Sequence, residues 1–329
     1  MAELEKLGIV FQADPHSLGG VDAVNYIGGV GLPGAISDRR RTGKGVTIAI
    51  LDTGVGHPDL ANFMGAQFLN NTRILPGFNF VANNNDIRDD FDVPDPTETS
   101  TPAGGRERYH GTIAAVLAAG ESTSPRQLGG VAPGANILPV KVCDSAGRCL
   151  ASNVVKGVCY ALNQVADRSK LVLNLSFGGD TPVDVLEAIL AYAIRQNVQV
   201  AAAGGNQGNN APKHYPAAFS IPGLVAVAAL GLDGSTWFPA PFSSRGPNQT
   251  YLDIAAPGAD IGFAFPIFNY NGTSFATPLV AGAMALWREA NPTLTPLQIE
   301  EGLKKSATVL PGRAATEVGA GLLNLSSQP

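Results

Sequence analysis

Three short segments hold the residues best equipped for chemistry in this chain. Asp52 closes an apolar run in Ile50 to Val55 (ILDTGV). His110 stands in Tyr109 to Thr112 (YHGT), immediately before an Ala-rich stretch. Ser274 follows a glycine turn in Tyr270 to Pro278 (YNGTSFATP). Each residue has an ordinary structural role open to it: a turn-capping aspartate, a histidine at a helix start, a serine N-cap. All three together, in the order Asp, His, Ser, are poorly explained by three separate structural roles. A carboxylate, an imidazole and a hydroxyl are the side chains of hydroxyl-nucleophile catalysis. The choice of histidine is short, because the chain has only four: His16, His57, His110 and His214, the last of which, before Tyr215 and Pro216, reads as part of a surface loop.

Other chemistries find little support. No C-x-x-C pair and no H-E-x-x-H occurs, which argues against structural zinc and a zincin helix. G-x-S-x-G and S-x-x-K are absent, against an α/β-hydrolase and a penicillin-binding type. Gly29, Gly31 and Gly34 match G-x-G-x-x-G, but no strand precedes them and Pro33 stands where a helix should begin. The net charge of −5 is too small and of the wrong sign for a nucleic-acid binder. No apolar stretch is long enough to span a membrane. The N-terminus MAELEKLGIV is acidic at its start and lacks a signal-like apolar run. The chain as given therefore reads as cytoplasmic, or as secreted if it is the excised core of a precursor. Cys143 and Cys149 bracket a polar loop, and both a bridge and two free thiols are open to them. Cys159 lies in an apolar helical stretch and reads as a small core residue.

The elements that must position these residues follow from periodicity. Val46–Leu51, Ile137–Val142, Leu171–Leu175, Val198–Ala203 and Val225–Leu230 are nearly continuous apolar runs bounded by turns. Such runs suit strands buried on both faces of a parallel sheet. Helical patterns alternate with them over 111–119, over 152–166 opening on Ser152, and over 183–196 after Thr181 and Pro182. Two more follow, over 273–290 and over 295–307 opening on Thr295 and Pro296. The pattern predicts an α/β fold of three layers, a mostly parallel sheet with helices on both faces. Asp52 then falls at the C-terminal edge of a strand, where sites form in such sheets. A polar insertion from Asn83 to Arg108, with Asp86, Asp89, Asp90, Asp92, Asp95 and Glu98, reads as an exposed loop. A cation site there is the minor alternative.

From about residue 42 to 325 the sequence resembles the subtilisin-like serine proteases (subtilases). Besides the three segments above, the resemblance rests on Leu128–Gly134 (LGGVAPG), Leu173–Gly179 (LNLSFGG), Ala201–Gly208 (AAAGGNQG), Phe242–Pro247 (FSSRGP) and Asp253–Gly258 (DIAAPG). All stand in the family's order. The resemblance implies a serine endopeptidase with Ser274 as nucleophile, His110 as general base and Asp52 as the group that orients the imidazole. Asn206 matches the oxyanion-hole asparagine, with Thr273 placed to assist. Gly147, Arg148 and Cys149 match one edge that pairs with an extended substrate, and Ser176, Phe177 and Gly178 match the other. Ala203, Gly205 and Gly178 match the lining of the main side-chain pocket, whose small residues favour a large apolar side chain. A peptide-binding pseudoprotease and an acyl-transferring relative are the alternative functions. The intact set of four residues argues against the first. The second shares the acyl-enzyme and is not separable by residues.

The resemblance also implies partners and cofactors. The substrate is a polypeptide, a propeptide or protein inhibitor is a candidate partner, and catalysis needs no cofactor. Structural calcium is the metal that such proteins take, and Asp59 in Gly56–Leu60 (GHPDL) matches one family ligand. Gly77–Asp86 (GFNFVANNND) matches another calcium segment, but Asn79, Ala82 and Asn84 replace acids there. Two histidines of the family pattern are aliphatic here, Ile113 and Leu279, which predicts an apolar contact in place of a polar one. Phe275 replaces a methionine after the nucleophile. Residues 1–24 are expected to be an extension or short pro-segment, and 25–329 the catalytic domain.

Overall fold

The computed structural model describes residues 10–12, 41–56, 69, 73–94, 106–121, 129–262 and 269–325. Its strands are β1 (Val10–Gln12), β2 (Thr47–Asp52), β3 (Phe78–Asn79), β4 (Asp92–Pro94), β5 (Arg106–Arg108), β6 (Asn136–Lys141) and β7 (Arg148–Leu150). They continue as β8 (Leu171–Leu175), β9 (Gln199–Ala203), β10 (Leu224–Asp233), β11 (Thr236–Pro239), β12 (Ile254–Pro257), β13 (Ile261–Gly262) and β14 (Asn269–Tyr270). The α-helices are α1 (His110–Ala119), α2 (Ala151–Gln164), α3 (Asp184–Arg195), α4 (Thr273–Ala290), α5 (Pro296–Ser306) and α6 (Ala315–Val318).

Eight strands form one sheet in the order β11-β10-β9-β8-β2-β6-β3, with β12 also paired to β10. Every pairing in it is parallel except β10 with β11. The strand that carries Asp52 is central, between β8 and β6. From β2 the chain first fills one side of the sheet, with β3 at the edge and then β6 beside β2, and afterwards crosses to the other side through β8 and β9. The C-terminal end of β2 is therefore a switch point, the place where such sheets open a crevice.

Both faces of the sheet are covered. Ile48 and Ile50 of β2 join the cluster that contains α1 and α4, while Ala49 and Leu51 join the one that contains α2 and α3. Because side chains alternate along a strand, Asp52 continues the row of Ile48 and Ile50. It thus emerges on the face of α1 and α4, whose first turns carry His110 and Ser274. Helix α4 is buried from Thr273 through Arg288, as its small, all-round apolar composition requires. At Gly282 a Cβ would stand 2.8 Å from the Ala118 carbonyl oxygen, so only glycine lets α4 approach α1 this closely. Ile113 and Leu279 are both buried within the large apolar cluster to which α1 and α4 contribute.

Some local expectations fail. Helix α2 is preceded by Leu150 and α3 by Val183, and neither cap residue offers a side-chain bond. Ser152 is a buried helix residue, and Thr181 and Pro182 stand outside α3. By contrast, Thr295 caps α5 with a full capping box to Gln298. Cys159 is exposed, not core. The buried face of α2 is taken by Val154, Val155, Val158, Ala161 and Leu162, and Cys159 points away from that stripe. Cys143 and Cys149 are joined by a disulfide.

Candidate active site

Asp52 has no exposed surface. Its Oδ1 accepts the Thr53 backbone N–H at 2.7 Å and lies 2.8 Å from His110 Nδ1. Facing a carboxylate, Nδ1 carries the proton of the neutral imidazole, and Nε2 is the basic nitrogen. The chain enters α1 through Tyr109 in the left-handed region, φ 61°, and this turn brings the first helical residue onto the strand end. Gly111 makes the approach sterically feasible: a Cβ there would lie 2.3 Å from the Gly54 carbonyl oxygen and 2.9 Å from Asp52 Cβ. The imidazole sits between two rings, Phe91 at 5.6 Å and Phe275 at 5.1 Å.

Ser274 is the second residue of α4, so its backbone N–H is one of those a helix start leaves without an intrahelical acceptor. Its hydroxyl is buried and has no hydrogen-bond partner among the described residues. Four residues on stands Pro278, which has no N–H to offer the Ser274 carbonyl. That carbonyl is satisfied from outside the helix: the Ser176 hydroxyl donates to it at 2.8 Å, and Ser176 Oγ in turn accepts from Asn174 Nδ2 at 2.9 Å. Ser176, expected only as a main-chain edge residue, thus also holds the helix start against β8.

Asn206 lies beside this helix start. Its Oδ1 accepts the Thr273 N–H at 2.8 Å and the Thr273 hydroxyl at 2.9 Å. A backbone N–H can only donate, so the bond settles which end of the amide is oxygen and turns Nδ2 away from Thr273. Thr273 Oγ1 itself accepts from Gly205 N at 3.2 Å. The structure therefore brings Asp52, His110, Ser274, Asn206 and Thr273 to one edge of the sheet.

The two expected substrate edges lie near each other, and a third strand runs between them. β1 pairs antiparallel with β7, Phe11 opposite Cys149 and Gln12 opposite Arg148. Gln12 N donates to the Gly178 carbonyl at 2.9 Å, and Gly178 N donates back to the Gln12 carbonyl at 3.1 Å. Gly147 forms the turn before β7 at φ +74°, and the disulfide at Cys149 ties the strand to the end of β6. Phe11 is buried, its ring 5.9 Å from that of Phe177. Ala203 is buried at the end of β9.

His214 is 3% exposed, contrary to its expected place on the surface. It packs so closely that a Cβ on Gly178 would come within 2.1 Å of its Nε2, and one on Gly205 within 2.9 Å of its Cγ. Burial pushes its pKa down to about 4. The sequence signal for this placement is the pair of glycines, which look like pocket lining until their neighbour is known.

Asp89 departs from expectation in the same way. The insertion it belongs to is exposed at Asp86, Asp90 and Asp92, but Asp89 is fully buried. Its carboxylate bonds to Thr53 and Thr112, tethers that local sequence cannot announce. Asp95, Glu98, His16, His57, the glycines 29, 31 and 34, and the calcium candidate Asp59 lie outside the described residues. In the second calcium segment Asn79 is spent on its own loop: Oδ1 accepts from Val81 and Ala82, and Nδ2 donates to the Asp86 carbonyl. Among the described residues no group of three or more acidic, histidine or cysteine side chains converges as a metal site. No helix among them is long and apolar enough to cross a membrane.

The sequence profile of the subtilase family matches residues 43–321. The chain belongs to the subtilase family. This subtilase is 33% identical to Subtilisin E of Bacillus subtilis over 301 residues, which cover 89% of this chain and 68% of that one. It is 36% identical to Subtilisin BL of Lederbergia lenta over 296 residues, 88% and 93% of the two chains. Its fold superposes on a cold-adapted subtilisin-like serine proteinase with a TM-score of 0.65 at 28% identity, covering 94% of this chain and 99% of that one. It is a subtilisin-like serine endopeptidase.

The ring beside His110 is Phe275, fully buried and free of sulfur. A methionine at such a position is open to conversion to the polar sulfoxide. This subtilase is expected to keep its activity in dilute hydrogen peroxide under conditions that inactivate a Phe275→Met variant. Equal rates of loss, measured as residual activity over time, would refute this.

Proposed function

We propose that this subtilase cleaves internal peptide bonds of extended polypeptides through an acyl-enzyme on Ser274. The observation that carries the assignment is the Asp52–His110 bond standing at the same sheet edge as an Asn206 amide locked by Thr273. His110 Nε2 takes the Ser274 proton as Oγ bonds to the scissile carbonyl carbon. The oxyanion that forms meets the Asn206 Nδ2–H and the Ser274 N–H. The carbon–nitrogen bond then breaks, and the departing amine takes the proton from His110. Water, deprotonated by the same imidazole, releases the acid and restores Ser274. Asp52 keeps the proton of neutral His110 on Nδ1 and stabilises the imidazolium between the two transfers.

The test is incubation with casein and with a serine-directed fluorophosphonate, beside a Ser274→Ala control. Labelling at Ser274 together with new peptide termini supports the assignment. Labelling without proteolysis would point to acyl transfer, and no labelling of folded protein to a peptide-binding pseudoenzyme.

The N-terminal residues form part of this reading. β1, hydrogen-bonded on both sides, lies where an extended substrate would be expected, so that β1 of the N-terminal extension or short pro-segment at 1–24 would compete for the cleft of the domain at 25–329. The Cys143–Cys149 bridge favours an oxidising, secreted setting. Burying a phenylalanine is worth about 2 kcal/mol, roughly thirtyfold in occupancy of the strand's site. Phe11→Asp is therefore expected to lower the KM for a chromogenic peptide while leaving kcat unchanged. An unchanged KM would show that β1 does not compete with substrate.

A further inference from the structure

We infer that Asp89 is a positioning residue for His110, acting through Thr53 and the first turn of α1. The inference rests on the triad reading above. Asp89 is fully buried, and its carboxylate is surrounded by donors from three segments. Oδ1 accepts the Thr53 hydroxyl at 2.8 Å and the Phe91 N–H at 3.2 Å. Oδ2 accepts both the N–H and the hydroxyl of Thr112, each at 2.8 Å. Its own N–H donates to the Gly56 carbonyl at 2.8 Å, and Gly56 N donates to Thr112 Oγ1 at 3.0 Å.

The two bridged residues adjoin the triad. Thr53 follows Asp52, and Thr112 is two residues beyond His110. Thr53 Oγ1 also accepts the Gly111 N–H at 3.0 Å, which closes the ring from strand end to helix start. The hydroxyl hydrogen of Thr53 goes to Asp89 at 2.8 Å in preference to Asp52 at 3.2 Å. Asp52 Oδ1 is thereby left to the Thr53 N–H and His110 Nδ1. The helix start favours a carboxylate at this place, since the Thr112 N–H belongs to the first turn. Burial opposes it and pushes the Asp89 carboxyl above its usual range, with the charge of Asp52 acting in the same direction.

Two further features connect Asp89 to the imidazole. Phe91, whose N–H it receives, packs on His110. β4, which starts at Asp92, pairs antiparallel with β5, and β5 leads directly into Tyr109 and His110. Asp89 therefore anchors both the helix start and the base of the insertion that precedes it.

The test is steady-state kinetics of full-length protein on a chromogenic peptide, per active site titrated with fluorophosphonate. Asp89→Ala is expected to lower kcat by about 10- to 100-fold with KM within about twofold, the size typical of lost support behind a reacting group. Asp89→Asn, which keeps the shape and one acceptor, is expected to recover part of that loss. Thr53→Val and Thr53→Ser keep the test decisive if Asp89→Ala fails to fold. Val should cost kcat and Ser should not, and the Thr53→Val loss should be less than additive with that of Asp89→Asn. A kcat within twofold of the parent in folded Asp89→Asn and Thr53→Val, or a change confined to KM or melting temperature, would overturn the inference. An inactive parent chain would instead overturn the triad reading itself.

Discussion

Replacing His110 with alanine is expected to remove nearly all casein hydrolysis, lowering kcat by about a millionfold, the size of the effect in subtilisin itself. The imidazole stands against the Asp52 carboxylate at 2.8 Å while lying on the face from which α4 presents Ser274. Without it the serine hydroxyl keeps its ordinary acidity and is a poor nucleophile. The other described histidine does not replace it: His214 is wedged against Gly178 and Gly205, and burial pushes its pKa down to about 4. The variant also loses a ring packed between Phe91 and Phe275, so some stability falls as well. Circular dichroism and the melting temperature separate this from catalysis. Folded His110→Ala protein should neither cut casein nor react quickly with a fluorophosphonate. Near-normal hydrolysis by that variant would remove His110 from the mechanism.

How much of this was legible in the sequence depends on the range of the interaction. The central strands were, because a strand buried on both faces must be apolar at nearly every position, and β2, β6, β8, β9 and β10 are. Asp52 was legible for the same reason, as an acid directly following the unbroken apolar run of β2. Shorter strands were not. Ile254–Pro257 has four residues and ends in proline, yet it pairs with the middle of β10. β1 has three residues, and its partner β7 lies more than a hundred positions away, so no local pattern announces it. Asp89 shows the limit most clearly. Five acidic neighbours make it look like one charge of a solvated loop. Its burial depends on Thr53 and Thr112, which come from a strand end and a helix start that only the fold brings together. His214 and Cys159 were misjudged in opposite directions for one reason: exposure of a single side chain is set by what packs against it.

The second large effect belongs to Asn206, and two substitutions divide its possible roles. Asn206→Ala is expected to lower kcat by about 100- to 1,000-fold with little change in KM, because an oxyanion donor acts on charge that exists only in the transition state. Alanine, however, removes two things at once. It takes away the Nδ2 donor, and it takes away the oxygen that receives the Thr273 N–H and hydroxyl. Asn206→Asp separates them. Aspartate has nearly the same shape and keeps an oxygen for Thr273, so the start of α4 stays tied to the end of β9. What it loses is the donor, and a carboxylate beside a developing oxyanion adds repulsion. If Asn206 serves the reaction through its N–H, the Asp variant should be at least as slow as the Ala variant while melting closer to the parent. If its service is only to hold Thr273, the Asp variant should recover most of the rate, and the oxyanion assignment would then be wrong. The ratio of the two kcat values, taken per titrated Ser274, decides between these physical roles.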